Sequence, residues 1–501
     1  MANGFFQEWK HYSIADISKE LDTNRETVLR LIGILRKQGV VKVFPKEKSW
    51  KKGFSYQDII YLNEQDENVD MEFVFDFVGI VLIGNYVFKC YPKYIKSTPK
   101  PFQEMKKVLK VIEKYNSKED LLILHNGNNG QKTFHELSIS LYLLQEYYSN
   151  GLYYNQQEII ETNGTGEILW EPTIYETFAL IQNNRPYYIE LQTKSTMLDD
   201  MDYIRRLHEC ILTQCSKKLE STGILPLFDI VAVSLTDAQL KEFGTQDYIL
   251  YRLQQELRTQ FVTRKQNLLK TLYTYIANSN TQESELSFSL YGTNSFQLVW
   301  EEVCKHNFGN QLKTCLKDLP TKLCTEYQPQ KDKKLYEIIE KPIWWKYANH
   351  SNKIEGSVTA QRTLEPDFIC IYPCGNQEYC FGIFDAKYYT INIDYDKTTQ
   401  KGIITGQMGI SDITKQYLYQ LAYQDFIKKQ GYKYVQNVFF CPQEEASTPY
   451  GYVELNMLHN INHTKLENII VVKLCADEMY NYFLMDKQIN NIEDYLPKPI
   501  Y

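Results

Sequence analysis

The chain has 501 residues, of which 43% are hydrophobic and 23% are charged, so it is long enough for several domains with buried cores. The formal net charge of −7 excludes a uniformly basic nucleic-acid-binding protein, so any contact with nucleic acid must depend on local basic patches. The sequence shows neither a signal peptide nor an apolar window of 18 residues, and its 11 cysteines are scattered, so we expect a reduced, cytoplasmic protein.

Residues 1–70 predict two helices, a strand and a basic loop. Ser13 is a suitable N-cap for the first helix, the turn "DTN" follows it, and the second helix ends at Gly39 before "VVKVF" and "PKEKSWKKG". This order is typical of a winged helix-turn-helix, in which the second helix enters the major groove and the loop contacts phosphates. The residues expected to contact DNA are Arg25, Thr27, Arg30, Lys46, Lys48, Lys51 and Lys52. A winged helix that binds another protein has the same pattern, so that alternative stays open.

Residues 71–285 predict a middle mixed α/β domain. "MEFVFDFVGIVLIGNYVFKCYPKYI" predicts strands with a turn at Gly84-Asn85, and "PFQEMKKVLKVIEKYN" predicts an amphipathic helix. "ETNGTGEILWEPTI" predicts a glycine-rich turn and then a strand; it lacks the lysine and the spacing of a phosphate-binding P-loop, which excludes nucleotide binding there. Residues from about 203 to 270 are predicted to be largely helical, and the polar stretch "NSNTQESELS" marks the boundary with a third domain, residues 286–501.

The third domain combines helices with two apolar strands that carry charges. "SFQLVWEEVCKHNFGNQL" predicts a helix with Glu301 and Glu302 beside its apolar face, and "RTLEPDFICIY" and "YCFGIFDAKYY" predict an antiparallel hairpin. Asp385 and Lys387 are two residues apart and therefore share one face of the second strand, and Asp367 on the first strand can point the same way. A helix with Gln416 and Gln420 four residues apart and a further strand follow.

The charges on this hairpin predict a site for metal-dependent hydrolysis. The order of elements and the motif Pro366-Asp367 with Asp385-Ala386-Lys387 resemble the PD-(D/E)xK nuclease core. In such a site carboxylates hold Mg²⁺, the metal lowers the pKa of a bound water, and lysine orients or deprotonates that water. The predicted metal ligands are Glu301, Asp367, Asp385 and the backbone of Ala386, and the predicted catalytic residues are Glu301, Asp367, Asp385, Lys387, Gln416 and Gln420.

Two alternatives accompany this prediction. Glu302 fits the helical position as well as Glu301 does, with Glu301 preferred because it directly follows Trp300. A surface hairpin with solvent-facing charges would also contain single acidic residues, but it explains poorly why "FGIFDAKYY" is apolar on both sides of them. The Asp-x-Lys spacing alone is unspecific, since the chain also contains Asp332-Lys333-Lys334.

Together with "DFVGIVLIGNYVFKCYPKYI", "GTGEILWEPTI" and "YQLAY", this core resembles the LlaJI-type restriction endonuclease family, which is related to the McrC subunit of McrBC-type systems, over about residues 70–450. The resemblance implies a multidomain α+β and α/β chain with a PD-(D/E)xK restriction-endonuclease-like core and a middle domain that docks a partner or contacts DNA. It implies cleavage of foreign double-stranded DNA with Mg²⁺, for which Mn²⁺ can substitute. It also implies that a McrB-like AAA+ GTPase is the partner of this protein. It implies no association with a membrane, and the protein could form a homo-oligomer within the complex with its partner.

The sequence leaves two other functions open. One is a DNA-binding or assembly subunit with no cleavage of its own, although an intact set of Asp367, Asp385 and Lys387 argues against it. The other is a DNA repair nuclease that acts without a motor. Neighbouring genes for an AAA+ GTPase and a methyltransferase would favour restriction over both.

Overall fold

The computed structural model contains helices and several sheets in two compact units, which confirms a multidomain chain of mixed α/β class. It describes residues 2–45, 71–116, 136–198, 202–278, 288–348, 353–375, 378–396, 398, 401–458, 460–461 and 464–497. The smaller unit comprises Val81–Val87 and Gln131–Tyr291, and the larger unit comprises Ala2–Ile80, Phe88–Gly130 and Gly292–Tyr501. Within the described ranges, no helix has both the length and the apolar character needed to cross a membrane.

The N-terminal segment of the larger unit contains the helices and the strand where the sequence predicts them. Its elements are β1 (Ala2–Gln7), β2 (His11–Tyr12), α1 (Ile14–Glu20), α2 (Arg25–Lys37), β3 (Val41–Pro45) and β4 (Met71–Phe75). The side chains of Ser13 and Asp16 cap the start of α1 reciprocally, as a capping box. Strand β4 pairs antiparallel with both β2 and β3, so this small sheet includes residues on both sides of the predicted boundary at residue 70.

The next two strands each have residues in both units, since Val81–Val87 belongs to the smaller unit and the residues before and after it belong to the larger unit. Strands β5 (Val78–Ile83) and β6 (Tyr86–Tyr91) are joined at Gly84-Asn85, as predicted, and helix α3 (Phe102–Asn116) follows. Gly84 has a φ of 54°, a left-handed conformation that glycine adopts without the steric cost of a Cβ.

The smaller unit is mostly helical, with short strands between its first two long helices. Its elements are α4 (Glu136–Asn150), β7 (Gln156–Thr162), β8 (Glu167–Ile168), α5 (Trp170–Glu176), β9 (Ala179–Gln182), β10 (Arg185–Tyr188), β11 (Gln192–Leu198), α6 (Tyr203–Thr222), α7 (Gln246–Thr259), α8 (Thr263–Ala277) and β12 (Phe288–Thr293), the last of which continues into the larger unit. The predicted largely helical region from about residue 203 to residue 270 is confirmed, and the interruption between α6 and α7 runs from Gly223 to Thr245, with 3-10 turns at Leu225–Phe228 and Leu240–Phe243. The predicted boundary at residues 278–287 lies almost entirely outside the described residues.

The predicted strand in "ETNGTGEILWEPTI" is wrong for most of its length. Strand β8 has only two residues, and α5 begins at Trp170. Pro172 lies in the first turn of α5, where a missing N–H removes no bond within the helix, and the hydroxyl of Thr173 donates to the carbonyl of Leu169. These local bonds favour a helix where the apolar pattern alone had predicted a strand.

The C-terminal part of the larger unit contains a five-stranded mixed sheet between helices. Its elements are α9 (Phe296–Asn307), β13 (Ile343–Tyr347), β14 (Ile354–Thr359), β15 (Phe368–Pro373), β16 (Tyr379–Ala386), β17 (Asn392–Asp396), β18 (Lys401–Thr405), α10 (Ile410–Gln430), β19 (Tyr434–Gln443), β20 (Thr448–Val453), β21 (Asn460–Ile461), β22 (Thr464–Lys465), β23 (Ile469–Cys475) and α11 (Ala476–Leu484). The strand order is β15-β16-β19-β23-β20, with β16, β19 and β23 mutually parallel and the two edge strands antiparallel to them.

Both faces of this sheet are covered, which explains why its central strands are almost continuously apolar. On one face, Phe381 and Ile383 of β16 pack in one core cluster with Tyr423 and Phe426 of α10. The indole N–H of the fully buried Trp300 on α9 donates to the carbonyl of Phe440 on β19, at 3.1 Å. The sheet therefore provides a rigid support for side chains at the ends of its strands.

Candidate active site

The charged residues of the hairpin meet at one end of the sheet. Asp367 directly precedes β15. Asp385 is the second-to-last residue of β16, and Lys387 directly follows that strand. The strands are antiparallel, with Phe368 opposite Phe384, so the start of one strand adjoins the end of the other. The backbone N–H of Ala386 donates to Asp367 Oδ2 at 2.8 Å. The structure thus brings the two halves of the predicted motif together.

The carboxyl groups of the two aspartates form a pair in which Asp385 is buried and Asp367 is half-buried. Asp385 is 4% exposed, and its side chain is hydrogen-bonded to that of Asp367. Burial, this hydrogen bond and the negative charges of Asp385 and Glu301 all raise the pKa of Asp367 well above its usual value, while Lys305 opposes the shift. Two carboxylates this close are stable together only when a proton or a cation neutralises part of their charge.

Lys387 is held between two carboxylates. Its Nζ lies 2.9 Å from Asp385 Oδ2 and 3.1 Å from Asp412 Oδ1, and its backbone N–H donates to the carbonyl of Phe440 at 2.9 Å. Burial acts to lower the pKa of Lys387, but the charges of Asp385 and Asp412 outweigh it and raise the pKa above its usual value. The ammonium group is therefore charged and fixed in position.

The predicted glutamate lies on α9. Glu301 is ion-paired with Lys305 one turn later, and its charge is one of the causes that raise the pKa of Asp367. Glu302 contributes to the raised pKa of Lys305. Successive residues of a helix point about 100° apart around its axis, so the two glutamates face different directions. The electrostatic effect on Asp367 favours Glu301 as the glutamate of the site.

The two predicted glutamines are both buried, so a solvated helix face is excluded for them. Gln420 Oε1 accepts hydrogen bonds from Asn437 Nδ2 at 2.6 Å and from the backbone N–H of Glu467 at 3.0 Å, which ties α10 to β19 and to the segment before β23. Gln416 Nε2 donates to the carbonyl of Ile383 at 2.8 Å. The Oε1 of Gln416 is buried and has no hydrogen-bond partner among the described residues.

Three side chains belong to this cluster although the sequence did not identify them. Asp412 accepts hydrogen bonds from Lys387 and, at 3.2 Å, from the hydroxyl of Tyr389, and Lys305 pairs with Glu301. The four-residue spacing of Glu301 and Lys305 on a helix is a signal that could have found Lys305. Asp412 lies in the first turn of α10, where acidic residues are common for local reasons, so its position alone does not distinguish it.

The predicted DNA-contacting residues are described only in part. Arg25 and Arg30 are exposed on α2, and Thr27 is half-buried with its backbone N–H bonded to the N-cap Asn24 at 2.9 Å. The lysines of the predicted loop, at positions 46, 48, 51 and 52, lie outside the described residues.

The donor set of the site fits Mg²⁺. In the part of the chain that the structure describes, no group of three or more His, Cys, Asp or Glu residues could by itself hold a metal ion. Mg²⁺, however, usually takes one or two carboxylates and completes its shell with water and substrate phosphate oxygens. Asp367 and Asp385 provide two such carboxylates side by side, and a divalent cation bound to both would relieve their mutual repulsion.

The family model and the similar protein found by comparison both belong to restriction enzymes. Residues 77–477 match the family model described as the LlaJI restriction endonuclease. A similar protein is the "Type II restriction enzyme BsuMI component YdjA" of Bacillus subtilis (strain 168), which is 27% identical over 432 residues, covering 84% of this chain and 83% of that protein.

Two solved structures also show a distant similarity. One is the refined half-complex from a tetradecameric assembly of Thermococcus gammatolerans McrB AAA+ hexamers with bound McrC, with 12% identity, a TM-score of 0.35, and coverage of 97% of this chain and 99% of that chain. The other is the Thermococcus gammatolerans McrBC complex, with 12% identity, a TM-score of 0.26, and coverage of 60% and 86%. TM-scores this low do not establish a shared fold. The family model, in contrast, spans most of the chain, and the protein therefore belongs to the LlaJI restriction endonuclease family.

Proposed function

We propose that this protein is the Mg²⁺-dependent endonuclease subunit of a GTPase-coupled, McrBC-like restriction system, and that it hydrolyses phosphodiester bonds in foreign DNA. The observation that carries the proposal is the contact of Asp367, Asp385 and Lys387 at one end of the β15–β16 hairpin. Their order along the chain, with a glutamate-bearing helix before them and α10 after them, supports a PD-(D/E)xK core. Membership of a restriction endonuclease family supports DNA as the substrate.

Each residue of the site has a role that its geometry supports. Asp367 and Asp385 would hold Mg²⁺, with Glu301 and the backbone carbonyl of Ala386 as further ligands; bound Mg²⁺ supplies a water of lowered pKa and neutralises charge that develops on the phosphate. Lys387 is held by Asp385 and Asp412, so its ammonium group attracts the phosphate and orients the attacking water. The hydrophobic surroundings of the hairpin keep these charges in register and limit access of bulk water.

The N-terminal segment supports a role in DNA binding. Helices α1 and α2 followed by a small antiparallel sheet have the order of a winged helix-turn-helix, and α2 exposes Arg25 and Arg30. In this arrangement α2 would lie in the major groove, and the basic residues after β3 would contact the phosphate backbone. This segment would then supply sequence recognition, while the hairpin supplies cleavage.

A partner protein is part of the proposal. The similar BsuMI protein is named as a component of its enzyme, which supports a subunit that acts together with others. The smaller unit exposes large apolar side chains around α5 and the β9–β10 hairpin, as expected for a surface that another protein covers. These side chains are Trp170, Ile174, Tyr175, Phe178, Leu180, Ile181, Tyr187 and Ile189. The resemblance to McrC-type subunits makes an AAA+ GTPase the proposed partner.

A cleavage assay tests the proposal. Purified protein with a McrB-like AAA+ GTPase, GTP and Mg²⁺ should cut double-stranded DNA, and a chelator should stop the reaction because the carboxyl pair needs the cation to hold the phosphate. Omission of the GTPase or of GTP should lower the rate strongly. Binding of DNA without cleavage under all these conditions would instead identify a DNA-binding or assembly subunit.

The choice between the two glutamates of α9 gives a second test. Glu301→Gln should lower the cleavage rate about 10- to 100-fold, because this carboxylate acts next to Asp367 and pairs with Lys305. The matched control is Glu302→Gln, one residue away on the same helix, which should stay within about twofold of the wild type. The reverse result, with Glu302→Gln the impaired variant, would contradict this assignment.

A further inference from the structure

The hairpin of β13 and β14, which we call the tryptophan ribbon, has no core of its own. Every residue of both strands is exposed, including Trp344 at 72% and Trp345 at 58%. An isolated two-stranded hairpin is marginally stable in water, and large apolar side chains in contact with solvent usually mark a binding surface. Two adjacent exposed tryptophans on such a hairpin therefore require an explanation other than folding.

The register of the ribbon puts an indole on each of its faces. Trp344 pairs with Val358 and Trp345 pairs with Ser357, and successive residues of a strand point to opposite faces. A protein that docked flat on the ribbon would cover one of these indoles and leave the other in water. A groove with two walls contacts both faces, and the major groove of B-form DNA is about 12 Å wide and admits a two-stranded β-ribbon.

The two strands of the ribbon carry one lysine and one glutamate, and an excess of positive charge comes from the residues that connect and flank them, up to the acidic Glu340 and Glu365 on either side. Between residues 341 and 362 the sequence has four basic side chains against one acidic, in a protein whose net charge is −7. The basic residues are Lys341, Lys346, Lys353 and Arg362, and all four are exposed. The acidic one, Glu355, forms an ion pair with Lys346, and both of these side chains are more than half exposed, so the pair costs little to break. This combination of aromatic and basic side chains is complementary to a nucleic acid.

The ribbon is attached to the sheet at the end that carries the acidic pair. Before it, Leu335 is buried in the core cluster that contains Ile369 and Ile383. After it, the backbone of Ala360 donates to the carbonyl of Pro342 at 2.8 Å, and the chain enters β15 through Asp367. Asp367 follows Thr359 by eight positions along the chain, so the base of the ribbon lies within about 29 Å of the site even if that segment is fully extended.

We propose that the tryptophan ribbon inserts into a groove of double-stranded DNA beside the phosphate that is cleaved at Asp367 and Asp385. This inference rests on the proposed nuclease function and adds the element that would hold the duplex at the site. The lysines and Arg362 would contact phosphates on the groove edges, and the two indoles would contact the sugars and bases of its walls.

The β17–β18 hairpin provides a matched comparison within the same unit. It is also exposed along both strands and it leaves β16 at the same end of the sheet, five residues after Lys387. Its charges are balanced, however, with Asp394 and Asp396 against two lysines. Substitutions of its exposed Tyr395 and Ile403 therefore test whether any exposed ribbon has the same effect.

DNA binding by full-length variants tests the proposal. All variants carry Asp385→Asn, so that a labelled duplex is bound without cleavage, and Kd is measured over a range of KCl concentrations. Trp344→Ala with Trp345→Ala should weaken binding about tenfold, and Lys341→Gln with Lys346→Gln should lower the slope of log K against log salt by about 2. Tyr395→Ala with Ile403→Ala should leave both quantities unchanged. The thermal unfolding midpoint of every variant should equal that of the Asp385→Asn parent, because the additional substitutions remove no buried contact.

Three results would overturn the assignment. Unchanged Kd and salt slope in both ribbon variants, when the wild-type protein cuts DNA, would remove the ribbon from the DNA interface and leave the nuclease function intact. A changed oligomeric state, or lost association with the GTPase at unchanged Kd, would show that the ribbon contacts a protein. Equal losses in the β17–β18 control would show that the effect is not specific to the tryptophan ribbon. Ribbon-dependent DNA binding by a wild-type protein that never cuts DNA would contradict the proposed function alone.

Discussion

Asp385→Asn and Lys387→Ala are each expected to lower DNA cleavage at least about 1000-fold, while DNA binding stays close to that of the wild type. Asp385 is the buried member of the carboxyl pair and also the partner of Lys387, so the amide removes one oxygen proposed to bind the metal and one charge that fixes the ammonium group. The Lys387→Ala variant removes the cation proposed to face the phosphate. Cleavage of supercoiled plasmid by the complete complex measures both effects.

The control for these variants is Asp332→Asn. Asp332 belongs to another Asp-x-Lys sequence, but it is an exposed residue paired with Lys317 at 2.8 Å, so its substitution should leave cleavage unchanged. Circular dichroism and thermal unfolding exclude loss of the fold, which matters for Lys387→Ala because it leaves Asp385 and Asp412 without their cation. Cleavage at the wild-type rate by both Asp385→Asn and Lys387→Ala would show that the site assignment is wrong.

A second large effect is expected at Glu8, a buried carboxyl in the larger unit. Glu8 is 4% exposed; its Oε2 accepts hydrogen bonds from the hydroxyl of Tyr388 at 2.5 Å and from the backbone N–H of Lys93 at 3.3 Å. Burial raises the pKa of Glu8 from 4.5 to about 7, against the opposing charge of Lys93. The folded state therefore binds the proton more tightly than the unfolded state does.

The sign of the pH dependence follows from this difference. The contribution of Glu8 to stability is fully present below about pH 4.5 and is lost as the pH rises towards 7, by about 3 kcal/mol in total. Glu8→Gln keeps an oxygen that can accept from Tyr388 but cannot ionise. The difference in unfolding free energy between wild type and Glu8→Gln should therefore change by about 3 kcal/mol between these pH values.

Urea unfolding at a series of pH values measures this difference. The control is Glu20→Gln, in the same N-terminal segment, where the carboxylate accepts a hydrogen bond from the backbone of Phe5 at 3.0 Å. The unfolding free energy of the Glu20→Gln variant should change with pH in the same way as that of the wild type. Parallel pH profiles for the wild type and Glu8→Gln would contradict a raised pKa at Glu8.

The sequence by itself determined the features that depend on neighbours along the chain. The capping side chain of Ser13, the apolar positions of α2 and the turn at Gly84-Asn85 are local, and the structure has each of them where the pattern predicts it. The spacing of Asp385 and Lys387 placed both on one face of a strand, because side chains alternate along extended backbone. The short connection to Asp367 then predicted the hairpin that joins the motif.

Only the tertiary structure decided the features that depend on packing between distant segments. The burial of Gln416 and Gln420, the electrostatic effect of Glu301 on Asp367, and the part played by Asp412 follow from how α9 and α10 lie against the sheet. The hydrogen bond between Glu8 and Tyr388 joins residues 380 positions apart. Hydrogen bonds and charges gain strength when water is excluded around them, and exclusion of water is a property of the assembled core rather than of any local sequence pattern.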